Sequence, residues 1–250
     1  MRFWGLGVRR AMTVKTRSAK GWLLLAVLAA LVGCQHQPPE YVSTYTSPPA
    51  APPVAAVSII GDSYTGGSQM GGNGPQGWPI LVEDQLGQRG VQIRANVAAE
   101  GGAGYVSRGT KGGVFDEQVP KVVGPNSRLV IFLGSRNDDS APPADLSVAV
   151  QKTLADVKAE APTAKVVVIG PPWPNASPTP EILAVRDVLR AQAEAAGAIF
   201  IDPIAEGWFF DRPDLIGADG VHPTDAGHLF MADRIAPLIA QELGQTPAAP

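Results

Sequence analysis

A serine, a histidine and a carboxylate, far apart in the chain, carry the first chemical suggestion. Ser63 stands in Ser58-Ile59-Ile60-Gly61-Asp62-Ser63-Tyr64, an apolar run that stops abruptly at Gly-Asp-Ser. Such a run reads as a buried strand that delivers a hydroxyl to the rim of a sheet. Serine alone is a weak nucleophile; it needs a base to take its proton and donors to hold an oxyanion. Near the other end, Asp219-Gly220-Val221-His222-Pro223 puts an imidazole and a carboxylate on one short loop. His222 would accept the Ser63 proton and later return one to a leaving alcohol. Asp219, three residues earlier, would orient the ring and stabilise its charged form. Gly, Asp and Ser are also ordinary turn formers, so the chemistry depends on elements that bring these loops together.

From about Val54 to Gly244 the chain alternates strand-like and helix-like segments, the pattern of an α/β domain. Strands are expected at Ala56 to Ile60, Val91 to Ala98, Arg128 to Leu133, Lys165 to Ile169 and Ala198 to Ile201. Near-continuous apolar runs such as Leu129-Val130-Ile131-Phe132-Leu133 suit strands covered on both faces, hence a parallel sheet. Helices are expected at Trp78 to Leu86, Asp145 to Glu160, Pro180 to Ala196 and Thr224 to Leu243, with Asp145 as an N-cap and Thr179-Pro180 as a start signal. Pro237 should kink or split the last helix. Doubly wound parallel sheets bind ligands beyond the carboxyl ends of their strands. After the first strand comes Ser63; after the second, Asn96 to Gly104 with Gly101; after the third, Gly134-Ser135-Arg136-Asn137-Asp138-Asp139. In a flavodoxin-like order of 2-1-3-4-5 these strands are neighbours, and one pocket collects a serine, a glycine amide and an asparagine amide.

Gly61-Asp62-Ser63, the glycine five residues after Asn96, Asn137-Asp138 after a strand and Asp219-x-x-His222-Pro223 together resemble the four blocks of the SGNH, or GDSL, hydrolase family. The resemblance spans the whole body in the right order. It implies a three-layer α/β/α fold with a five-stranded parallel sheet, and hydrolysis of esters or thioesters through an acyl-enzyme. It also implies an oxyanion hole from the backbone N–H of Ser63, the backbone N–H of Gly101 and the side-chain amide of Asn137. The family's third block is usually Gly-x-Asn-Asp; here Ser135 occupies the glycine position, with Gly134 one residue earlier. The Ser, Asp, His order also occurs in α/β-hydrolases, but Gly-x-Ser-x-Gly is absent because Thr65 stands where its second glycine belongs.

Around this site, Trp173 in Gly170-Pro171-Pro172-Trp173-Pro174 is a candidate wall for substrate, and Arg136 a candidate contact for an anionic group, although it also suits a plain surface arginine. Asp138 and Asp139 read as solvated or capping, His228 as packing or capping, and Gly71-Gly72-Asn73-Gly74 as a mobile loop beside the nucleophile. No cofactor or metal is expected: of three histidines one, His36, lies outside the body, and no Gly-x-x-x-x-Gly-Lys phosphate loop exists.

Charge and composition set the context. Six basic residues and no acidic one precede residue 34, which leaves 14 basic against 23 acidic side chains in the rest. An acidic body gives no electrostatic reason to expect nucleic acid as a partner. Residues 1–33 read as a signal segment: a basic start, then eleven apolar residues from Trp22 to Val32, about half of the ~20 needed for a spanning helix. Leu31-Val32-Gly33-Cys34 resembles the bacterial lipobox, which implies lipidation of Cys34, the only cysteine, and attachment to the outer face of a bacterial membrane. Arg9-Arg10 fits twin-arginine export poorly, and Met12 to Cys34 is a complete signal by itself. Residues 34–55 are expected to form a proline-rich tether, residues 56–245 the hydrolase domain and residues 246–250 a frayed, disordered tail. The expected function is an extracytoplasmic serine esterase acting on lipid, short-chain acyl or cell-envelope esters, its partner a small-molecule or lipid or glycan ester. The alternatives are a carbohydrate O-deacetylase or acyltransferase on the same site, or a lipoprotein that only binds an acylated ligand.

Overall fold

Central strands buried on both faces, with successive residues turned to two different cores, build the architecture. The computed structural model describes residues 53–245; the signal segment, Cys34, His36, nearly all of the tether and the tail lie outside them. Five strands, β1 (Ala55–Gly61), β2 (Ile93–Ala99), β3 (Ser127–Leu133), β4 (Lys165–Ile169) and β5 (Ile199–Ile201), form one all-parallel sheet in the order β2-β1-β3-β4-β5. Six helices connect and cover it: α1 (Ser63–Gly66), α2 (Trp78–Gln88), α3 (Phe115–Val122), α4 (Pro143–Glu160), α5 (Pro180–Ala195) and α6 (Asp225–Glu242). Along β3, Leu129, Ile131 and Leu133 share a core with Trp78 and Val82 of α2 and Met231 and Ile235 of α6. Val130 and Phe132 turn to the other face, with Phe115 of α3, Leu146 of α4 and Val185 of α5. The two-residue period of a strand therefore feeds two cores, which is why the run carries no polar residue.

Helix starts follow the sequence with one correction. Thr179 and Thr224 cap α5 and α6, accepting the N–H groups of Ile182 and Gly227. Asp145 is not an N-cap: α4 begins two residues earlier, capped by Pro142 with Pro143 in its first turn. Proline lacks the N–H that the first turn leaves unpaired, and Asp145 still faces the positive end of the helix from inside that turn. Pro237 does not split α6, because Ile235, Ala236, Ile239 and Ala240 on both sides of it are buried in the core shared with α2. The short α3, with Pro120 inside it, has no counterpart in the sequence reading.

Register places the site. Gly61, at the end of β1, pairs with Ala99 of β2 and with Leu133 of β3. The residues that follow these three strands therefore emerge level with one another on one edge of the sheet.

Candidate active site

Ser63 opens α1 immediately after β1, and its turn is fixed by Asp62, whose Oδ1 accepts the Tyr64 N–H at 2.8 Å. Gly61 must be glycine, since a Cβ there would run into the Thr65 side chain. The His222 loop folds against this turn. Its Nε2 lies 3.0 Å from Ser63 Oγ, and its Nδ1 lies 2.7 Å from Asp219 Oδ2. Asp219 Oδ1 accepts the backbone N–H groups of Val221 (2.9 Å) and His222 (3.0 Å), and Gly220 takes φ of 68° to make the turn. Hydrogen bonds from the His222 side chain and backbone hold the Asp219 carboxyl at about 2, below its ordinary value. One oxygen thus shapes the loop while the other orients the ring. A residue not singled out by its type completes the clasp: Tyr64, buried beside the nucleophile, donates its hydroxyl to the carbonyl of Val221. Burial pushes its phenol well above the usual range.

Gly101 lies on the cavity wall beside Ser63, and its N–H meets no acceptor among the described residues. Its carbonyl accepts from Thr110 N–H at 2.9 Å, and the preceding Glu100 binds the N–H groups of Lys111 and Gly113, which pins the loop it begins. Asn137 is on the same wall, but its amide is engaged: Nδ2 donates to Ala103 O at 2.8 Å and to Asp62 Oδ2 at 3.1 Å. Asp62 is only 1% exposed, and burial raises its carboxyl to about 7 against the opposing pull of the Tyr64 N–H and Arg136. Ser135, at the family's glycine position, is buried; it accepts the Asn137 N–H at 2.9 Å and donates to Ala103 O at 3.1 Å. The unusual residue thus braces the turn that carries Asn137.

Asp138 is buried rather than solvated. Its carboxylate accepts the N–H groups of Tyr105 (2.8 Å), Val106 (3.0 Å) and Ser107 (2.8 Å), tying the Gly101 loop to the end of β3. Gly104 leaves room for it. His228 is a packing residue: its ring lies against Gly72, its Nδ1 accepts the Trp78 N–H at 3.4 Å, and burial lowers its pKa to about 4. Gly71 and Gly72 are buried against the start of α6, with Gly72 N–H on Asp225 Oδ1 at 2.8 Å, so only the outer part of that loop is exposed. No group of His, Cys, Asp and Glu suited to a metal exists among the described residues.

Ser63, Gly101, Gly102, Thr110, Arg136, Asn137, Asp139, Val221 and His222 line an open cavity of about 620 Å³. The structure brings together every expected polar participant. Trp173 lies one layer back, where its ring supports the Arg136 guanidinium 4.7 Å away. A larger hollow of about 740 Å³, where β4 and β5 begin, contains none of these residues and is at the wrong end of the sheet for this chemistry. Tyr64, Ser135 and the clamping roles of Asp62 and Asp138 are additions to the expected set, and each lies inside a motif already picked out by its neighbours.

Comparison with known proteins agrees with this geometry. Residues 59–229 match the model of the GDSL-like Lipase/Acylhydrolase family. The chain is 52% identical over 190 residues to GDSL lipase Rv0518 of Mycobacterium tuberculosis strain ATCC 25618 / H37Rv, covering 75% of this chain and 82% of that one. The fold resembles the lipase/acylhydrolase from Enterococcus faecalis, with TM-score 0.63 and 18% identity over 79% of this chain and all (100%) of that one. It also resembles a family two carbohydrate esterase from Clostridium thermocellum solved with cellohexaose, with TM-score 0.62 and 19% identity over 78% and 67% of the two chains.

Proposed function

Because the chain belongs to the GDSL-like lipase/acylhydrolase family and is an SGNH-type hydrolase, we propose that it cleaves esters of short acyl groups through an acyl-enzyme on Ser63. The observation that carries this is the unbroken path from Ser63 Oγ through His222 to Asp219, at 3.0 and 2.7 Å. His222 takes the hydroxyl proton as Ser63 Oγ bonds to the acyl carbon. The C–O bond to the alcohol then breaks, and the alcohol leaves with that proton. Water, deprotonated by the same ring, attacks the acyl-enzyme and releases the acid. The N–H groups of Ser63 and Gly101 and the Asn137 amide would hold the oxyanion, each such donor lowering the barrier by about 3 kcal/mol. For Asn137 this requires one of its two internal bonds to yield, and the bond to Asp62 is the longer.

The cavity supports the short acyl group. Its lining is glycine, polar side chains and Val221, without the apolar slot that a long chain would need. The same polar wall, together with a fold shared with a carbohydrate esterase, favours O-deacetylation of glycans as a second reading. The substrates would be cell-envelope or small-molecule esters, met by an exported enzyme anchored through a lipidated Cys34; the basic start, short apolar run and Leu31-Val32-Gly33-Cys34 support that placement. The test is a fluorophosphonate ester probe on the wild type and on Ser63→Ala, read by intact mass. One adduct lost in the variant is expected; no adduct on folded wild type would leave a binding lipoprotein instead.

A further inference from the structure

A cation with no carboxylate partner sits in the reaction cavity. Arg136 is half-buried on the same wall as Ser63, Asn137 and His222, with its guanidinium over the ring of Trp173. Trp173 is itself fixed, since its Nε1 donates to the Ser177 carbonyl at 3.2 Å. Arg136 enters no ion pair among the described residues. Its Nη1 is closed off from solvent and the guanidinium also interacts with the buried Tyr64 hydroxyl, which leaves Nε and Nη2 for a ligand. Several other arginines meet carboxylates: Arg190 binds Asp202, and Arg212 reaches Asp214 through both Nε and Nη2. Asp62, whose charge Arg136 feels, already spends its oxygens on the Tyr64 N–H and the Asn137 amide. Asp139 is the one carboxylate among the lining residues, and no oxygen of it lies within 4.0 Å of the guanidinium.

A planar guanidinium held flat by an aromatic ring has its remaining N–H groups aimed in the plane, the geometry that meets the two oxygens of a carboxylate. Stacking on tryptophan also limits the freedom it would lose on pairing. We propose that Arg136 is a specificity-determining residue that pairs with a carboxylate carried by the ester substrate, so that the enzyme selects acidic esters over neutral ones. This rests on the ester-hydrolase reading above. The carboxylate belongs either to the acyl half, as in a half-ester of a dicarboxylic acid, or to the alcohol half, as in an acylated acidic sugar.

Two pairs of probes separate these sources and remove the effect of size. For the acyl half they are mono-4-nitrophenyl adipate and its methyl ester; for the alcohol half, 3-acetoxybenzoate and its methyl ester. In low salt, wild type should favour the free acid of at least one pair by tenfold or more in kcat/KM, and added salt should erode that ratio. In Arg136→Gln the ratio should fall to one or below, whatever happens to absolute rate, while Arg136→Lys should keep part of it. Circular dichroism checks that the variants fold, and the salt dependence of wild type stands even if they do not. Hydrolysis with a ratio near one in both pairs, or a ratio unchanged in Arg136→Gln, overturns the proposal alone. Absence of hydrolysis together with absence of Ser63 labelling overturns the hydrolase reading, and the proposal with it.

Discussion

Two buried groups, His228 and Asp62, titrate in opposite senses. His228 has its pKa lowered from 6.5 to about 4, so the unfolded chain binds the extra proton and stability is lost as pH falls through that window. Asp62 has its pKa raised from 3.8 to about 7, so the folded chain binds the extra proton and stability is lost as pH rises through its window. Burial also raises the Asp138 carboxyl, which adds to the loss on the rising side. The His228 contribution is about 3 kcal/mol, taking 1.36 kcal/mol for each pKa unit. His228→Leu should therefore lose unfolding free energy less steeply than wild type as pH falls from 6.5 to 4, by roughly that amount. Urea unfolding at both pH values measures it; parallel slopes would show that the ring does not resist protonation in the folded state. Ser63, Asp219 and His222 were legible in the sequence because their chemistry and their local motifs coincide. Asp138 was not, since a buried carboxylate and a solvated one look alike until the three N–H groups that face it are known.

At the level of elements, the site depends on loops fastened to strand ends. The loop after β2 is fixed twice, by Glu100 at its start and by Asp138 reaching across from the end of β3. A side chain at position 104 would occupy the space of the Asp138 carboxylate. Gly104→Ala should displace it, leave up to three N–H groups unpaired and cost roughly 2–4 kcal/mol. It should also slow fluorophosphonate labelling, because Ala103 and Gly101 move with that loop. A lower urea midpoint with an unchanged labelling rate would separate stability from site geometry and sink the coupling. All five strands were legible in the sequence from apolar runs and the motifs that follow them, whereas their order was supplied by the flavodoxin-like arrangement of doubly wound sheets and agrees with the observed one. The α4 start was displaced because Pro142-Pro143 looks like loop, although proline suits a first turn. The integrity of α6 was hidden because packing outweighs the bond that Pro237 removes.

On the scale of the whole molecule, no helix among the described residues is long and apolar enough to cross a membrane, and the proposed anchor is Cys34. Cys34→Ser should shift the protein from the membrane fraction to the soluble exported fraction on expression in a lipoprotein-processing bacterium, without altering labelling at Ser63. Retention in the membrane by the variant would remove lipidation as the anchor. The hydrogen-bonded pair at the centre of the site spans the molecule in another sense, since Ser63 and His222 are 159 residues apart in sequence. At about 5–20 residues per second, a ribosome emits the nucleophile on the order of ten seconds before its base. A nascent chain in that interval carries an inert alcohol. If it is exported unfolded, its two halves meet only after translocation, so the order of the chain itself shields the esters of the compartment where it is made.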